Sequence, residues 1–149
     1  MPLGDLAAYV EFSRTLDLDV NTLVQRLAAA IAARAAPGVR DVVPALGGLA
    51  VHFAPEFEGS PTEAAAKLVA ECLDAGLPRH ADVERTVEVP VCYEPEFGLD
   101  LPSLNEKLKL PVEEIVQRHA AGTYRVLMMG FAPGHAYMGG LEAKLALPR

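Results

Sequence analysis

Apolar positions change their period several times along the chain, and each change marks an element. Leu6–Phe12 is short, apolar and β-compatible, and predicts a first strand. Asp19 offers a helix N-cap, after which Val20, Leu23, Val24, Leu27 and Ile31 recur at helical spacing until Pro37-Gly38 ends the run. Val39–Leu46 and Leu49–Ala54 are strand-like runs joined by Gly47-Gly48, whose freedom at positive φ suits a tight hairpin. Ser60-Pro61-Thr62-Glu63 is a capping box with proline at the first helical position, so a second helix starts there. It is expected to bury Ala65, Leu68, Val69 and Cys72 and to end near Gly76 and Pro78. Val83–Val91 returns partly to period two, a fourth strand.

The resulting order, βαββαβ, predicts an α+β domain of the ferredoxin-like kind over residues 1–91: a four-stranded antiparallel sheet with both helices on one face. After Val91 the texture changes. Cys92–Pro102 is rich in proline, glycine, aromatic and acidic residues and predicts a loop. Two short helices are expected at Ser103–Lys109 and Val112–Ala120, the second opened by Pro111 at its first position, then a strand over Tyr124–Phe131 and a helical stretch over Leu141–Leu147. One strand and three short helices do not bury a core of their own. Either this segment packs on the first domain or, as is favoured here, residues 92–149 are the start of a larger, truncated domain.

Composition narrows the function classes. About half of the 149 residues are hydrophobic, which predicts a packed core rather than disorder. Of the net charge of −7, residues 1–91 carry 13 acids against 7 bases and residues 92–149 carry 7 against 6. An acidic chain without a basic cluster repels phosphate backbones, so no nucleic-acid partner is expected. No apolar run approaches the ~18 residues that span a bilayer, and the N-terminus lacks a signal-peptide pattern. The expectation is a cytoplasmic chain with no membrane partner. Cys72 and Cys92 lack metal-ligand spacing, and His52 and His80 lie apart, so no metal site is expected.

The residues from Val91 onward carry a resemblance. Cys92-Tyr93 leads into Glu96-Phe97-Gly98-Leu99-Asp100-Leu101; His119 is followed by Tyr124 and Val126. Then come Gly130-Phe131-Ala132-Pro133-Gly134-His135-Ala136-Tyr137, Gly139-Gly140-Leu141 and Pro148-Arg149. This succession resembles the family of 5-oxoprolinase B-type subunits, also labelled KipI-like or allophanate hydrolase subunit 1, and Pro2-Leu3-Gly4-Asp5 is similar to its opening. His135 stands where the family pattern has phenylalanine. The resemblance implies that residues 92–149 begin a cyclophilin-like β-barrel domain. It implies a non-autonomous component of a heteromeric, ATP-dependent enzyme that opens 5-oxoproline to glutamate. Its partners would be the C-type 5-oxoprolinase subunit, which is allophanate hydrolase subunit 2-like, and the A-type subunit. ATP would act at the level of the complex, with none bound by this chain alone. Two alternatives follow from the same resemblance: a module that binds and inhibits a histidine kinase, and a protein related to the carboxyltransferase part of urea carboxylase.

The chain's own residues fit a supporting part in such chemistry. Opening a lactam needs amide activation, a placed water and oxyanion stabilisation. No phosphate-cradling glycine motif and no biotin-carrier lysine motif occurs, so activation is expected elsewhere in the complex. His119 shares a helix face with Val112, Ile115 and Val116; it is either a half-buried histidine satisfied by a backbone hydrogen bond or a side chain that polarises the substrate. With Tyr124 and His135 it makes up the candidate catalytic set. Tyr93, Glu96, Phe97, Asp100, Phe131, Pro133, Gly134 and Tyr137 are candidates for substrate or partner binding. Asp100 is also expected to cap the helix that follows. Tyr93, Phe97, Tyr124, Phe131 and Tyr137 are five of the nine aromatics, an expected core or subunit interface. Phe131-Ala132-Pro133-Gly134 predicts a rigid turn at which backbone approaches a ligand or partner.

Overall fold

The computed structural model describes residues 1–78 and 85–148. Its elements run β1 (Ala7–Glu11), α1 (Leu18–Arg34), β2 (Val39–Pro44), β3 (Gly48–Phe53), α2 (Pro61–Asp74), α3 (Leu101–Leu108), α4 (Val112–Ala120), β4 (Arg125–Met129) and β5 (Ala136–Gly139), with a 3-10 turn at Ala143–Leu145. The architecture is mixed α/β, with small sheets and four helices. Two compact units result: Met1–Glu84 with Leu127–His135, and Arg85–Val126 with Ala136–Arg149.

Period two in β3 sets the core of the first unit. Leu49, Val51 and Phe53 are buried at alternate positions. They share one cluster with Ala8 of β1, with Val24, Leu27, Ala28 and Ile31 of α1, and with Ala65, Val69 and Cys72 of α2. The strand order is β1-β3-β2, antiparallel throughout. Helix α1 is capped by Asp17 rather than Asp19: the Asp17 carboxylate accepts from the backbone N–H groups of Asp19 and Val20 at 2.9 and 3.1 Å. Asp19 then lies in the first turn, where its charge suits the helix dipole. The buried stripe is Asn21, Val24, Leu27, Ala28 and Ile31. Leu23 falls on the flank and is only half-buried. At the start of α2 the Ser60 hydroxyl accepts from the Glu63 N–H, as the cap predicts.

Two further sequence expectations are corrected in this unit and at its edge. Arg85–Val91, most of the expected fourth strand, is exposed and forms no strand, while Val83 and Glu84 lie outside the described residues. The edge of β1 away from β3 is instead engaged by the N-terminal residues. Leu3 donates to the Ala7 carbonyl, Tyr9 to the Met1 carbonyl, and the Met1 ammonium to the Tyr9 carbonyl, at 2.8–2.9 Å. Gly47 and Gly48 do not adopt positive φ. They are small because backbone comes close: a side chain on Gly47 would strike the Ser13 carbonyl, and one on Gly48 the Val10 carbonyl and the Tyr9 ring.

Burial in the second unit falls on Ile115 of α4 and Leu145 of the 3-10 turn. Helix α3 starts two residues earlier than expected, and Asp100 stands before it with helical backbone and no capping bond from its side chain. Pro111 occupies the N-cap of α4 rather than its first helical position. The expected helix over Leu141–Leu147 is reduced to the 3-10 turn, since seven residues between Gly140 and Pro148 are too few to repay helix nucleation. β5, too short to register as a period, pairs with β4 in a two-stranded sheet. Among the described residues no helix is long and apolar enough to cross a membrane.

Candidate functional site

Helix α4 presents His119 in its last turn, and two tyrosines close on that ring, one from before the helix and one from after it. The Tyr93 hydroxyl lies 2.6 Å from His119 Nδ1, its ring edge-on to the imidazole at 5.8 Å between centroids. Tyr124 comes back over the end of α4: its ring sits 5.4 Å from the imidazole and its hydroxyl donates to the His119 carbonyl at 2.9 Å. That return needs glycine at position 122, because a Cβ there would stand about 2.8 Å from the Tyr124 ring. Burial, and secondarily the neighbouring Tyr93, push the Tyr124 phenol above its ordinary pKa, so it remains a neutral donor. The imidazole is therefore held through Nδ1 by a phenol, not by a backbone group, and the helix-end carbonyl is satisfied separately. A histidine fixed in this way can accept or donate a proton with a defined ring orientation.

The loop before α3 is organised beside Tyr93. Phe97 and Gly98 both donate their backbone N–H to the Glu94 carbonyl at 2.8 Å, and Leu101 to the Gly98 carbonyl at 3.0 Å. Glu96, Phe97 and Asp100 are exposed on this turn. Next to His119 on α4, Arg118 bridges two carboxylates. Its Nε and Nη2 donate to Glu114 Oε1 at 2.8 and 2.6 Å, and its Nη1 to Glu142 Oε1 at 2.6 Å. Glu114 above all raises the Arg118 pKa further. The adjoining cleft, about 740 Å³, has Glu113, Gln117 and Gly122 on its walls besides this trio. Its one arginine is already engaged by two carboxylates, which leaves no cationic seat for phosphate there. Among the described residues no group of three or more His, Cys, Asp or Glu side chains is placed to hold a metal ion.

The turn after β4 lies in the segment grouped with the first unit. Gly130 donates to the His135 carbonyl at 2.8 Å and His135 to the Ala132 carbonyl at 3.0 Å. The imidazole of His135 packs against Gly130, where no side chain fits, and stands 5.6 Å from the Phe131 ring. Phe131 itself is 93% exposed, with Pro133 and Gly134 exposed beside it; Gly134 has a φ of +77°. The sequence-derived candidates thus fall into two groups. Tyr93, His119 and Tyr124 meet in the second unit; Phe131 and His135 meet in the turn. Tyr137 is exposed on β5.

Two features escape a reading of the sequence. The Glu114–Arg118 pair is readable from its i,i+4 spacing, but its link to Glu142, 24 residues on, is not. Asn21 is fully buried at a core position of α1, and its Nδ2 lies 3.1 Å from the carbonyls of Leu46 and Leu127 and 3.3 Å from that of Ala45. With Gln25, which donates to the same Leu127 carbonyl at 2.9 Å, it ties down the strand that leads into the turn.

The chain is similar to a known family and to several known proteins. The family model described as the carboxyltransferase domain, subdomain C and D, matches residues 1–149. The chain is 35% identical over 155 residues to the 5-oxoprolinase B-type subunit of Bacillus subtilis (strain 168), covering 99% of this chain and 65% of that protein. A 65-residue stretch, 44% of this chain and 30% of the relative, is 40% identical to the 5-oxoprolinase B-type subunit of Haemophilus influenzae. Among solved structures, one crystal form of the protein TTHA0988 superposes with a TM-score of 0.76 at 32% identity, over 96% of this chain and 27% of that one. The chain spans about two thirds of the B. subtilis relative's length.

Proposed function

The chain belongs to the family of the carboxyltransferase domain, subdomain C and D, and from that membership we propose that it is part of the B-type subunit of a heteromeric, ATP-dependent 5-oxoprolinase. The observation that carries the proposal is the 35% identity to a 5-oxoprolinase B-type subunit over 99% of this chain. In this reading the chain works in the cytoplasm, with a C-type subunit related to allophanate hydrolase subunit 2 and with an A-type subunit, and ATP acts on the substrate within the assembled complex. Residues 1–91 follow a ferredoxin-like plan whose fourth strand the described residues do not form, and residues 92–149 open a cyclophilin-like domain.

The site residues divide the work. His119, oriented by Tyr93 and backed by Tyr124, moves a proton as the lactam amide is attacked; His135 supports the turn whose exposed Phe131, Pro133 and Gly134 meet a partner. In the second unit Glu96, Phe97, Asp100 and Tyr137, all exposed, are separate candidates for partner contact. Size-exclusion chromatography of the chain mixed with purified C-type and A-type subunits tests the assembly. The proposal expects co-elution and glutamate release from 5-oxoproline by the pooled fractions. Separate elution with no glutamate would contradict it.

A further inference from the structure

A second cleft, of about 430 Å³, opens in the first unit, on residues that no part of the proposed reaction uses. That volume lies within the range of small-ligand sites. Leu3, Leu6 and Phe53 supply apolar lining, and Arg40, Asp41 and His52 supply polar groups. The strand irregularity in β2 is what gathers the charges. The register slips between Val39 and Asp41, so Val39 and Val42, three residues apart, both pack on the core, while Arg40 and Asp41 between them are both exposed at the cleft. Asp41 pairs across the ladder with His52, which in turn pairs with Ala7.

Each polar group has capacity to spare. Arg40 makes no ion pair among the described residues. Asp41 accepts the Val42 N–H on Oδ1 at 2.8 Å, which fixes the carboxylate and leaves Oδ2 as an acceptor. The His52 ring carries an N–H donor in either tautomer. Leu3 and Leu6 are 46% and 37% exposed at the rim, apolar surface that an occupant would cover. A guanidinium and an imidazole N–H suit a carboxylate, and a neighbouring carboxylate suits an N–H.

We propose that this cleft binds a small organic acid with an apolar body and an N–H next to its carboxylate. Arg40 and His52 take the carboxylate, Asp41 accepts the N–H, and Leu3 and Leu6 cover the carbon skeleton. Two chemistries share that pattern, an α-amino acid and an N-acylated one, and the inference stands apart from the complex proposed above because it concerns this chain's own residues.

The test is a titration of the isotope-labelled chain, followed by amide NMR shifts, with three acids built on one five-membered ring. Cyclopentanecarboxylate has no N–H, L-proline has an ammonium, and 5-oxoproline has a lactam N–H. Saturable shifts at Ala7, His52 and Phe53 are expected with at least one of the nitrogen-bearing acids, and weaker binding of cyclopentanecarboxylate. Arg40→Gln is expected to weaken binding roughly tenfold, as loss of a charged hydrogen bond does, and Asp41→Asn to remove the preference for the nitrogen-bearing acid. Both positions are exposed, so both variants fold. Binding of L-proline alone would assign the site to amino acids; binding of 5-oxoproline alone would assign it to acylated ones. No saturable shift with any of the three, equal binding of cyclopentanecarboxylate, or unchanged binding by Arg40→Gln would overturn the proposal and leave the complex assignment standing.

Discussion

The Tyr124 hydroxyl has two measurable consequences. It donates to the His119 carbonyl, and burial together with Tyr93 raises its pKa. Because the folded state holds this proton more tightly than the unfolded chain, the associated stability is intact below the ordinary tyrosine value of ~10 and is lost as pH rises from there through the folded value. Tyr124→Phe should therefore start about 1 kcal/mol less stable at pH 8, for the lost hydrogen bond, and should lose less stability than the wild-type chain between pH 8 and 10.5. Urea melts at the two pH values check both statements; parallel losses would show that Tyr124 does not titrate as its burial requires. His119 is marked in the sequence by its place on an apolar helix face, yet its pairing with Tyr93 is not, because the two lie 26 positions apart across loop and helix. Asn21 is hidden for another reason. A polar residue at a core position gives no periodic signal, and its acceptors come from the β2–β3 turn and from β4.

Helices with long buried stripes are legible in the sequence, and elements governed by neighbours are not. Helix α1 exposes its phase through Val24, Leu27 and Ile31, all fully buried; α4 buries Ile115 alone, yet it too has the bounds that its pattern predicts. Leu27→Ala should cost ~2–5 kcal/mol in a denaturation curve, the range for buried leucine truncation; a loss below about 0.5 kcal/mol, typical of surface changes, would show that the helix face is misassigned. Arg85–Val91 alternates like a strand but forms none, because alternation records only which side chains are apolar and cannot supply a free edge. The edge of β1 is engaged by Met1 and Leu3 at its start. β5 is invisible for want of length.

For the chain as a whole, charge and apolarity are sorted along the sequence. Val126–Leu141 contains no Asp, Glu, Lys or Arg in a chain of net charge −7. Val126, Met129, Phe131, Tyr137, Met138 and Leu141 within it are exposed. An exposed aromatic on a hydrogen-bonded turn is the kind of anchor that protein interfaces use, so Phe131→Ser should weaken co-elution with the proposed partners while leaving the denaturation midpoint unchanged; a shared loss of both would make Phe131 structural. On the function proposed above, this chain contributes to 5-oxoproline opening only within a complex. ATP hydrolysis, measured with and without 5-oxoproline, tests it most directly, on the chain alone and on the chain combined with the C-type and A-type subunits. No stimulation by 5-oxoproline is expected for the chain alone, and clear stimulation for the combination, exceeding that of the two partners without it. Stimulated turnover by the chain alone, or equal turnover by the partners in its absence, would contradict it.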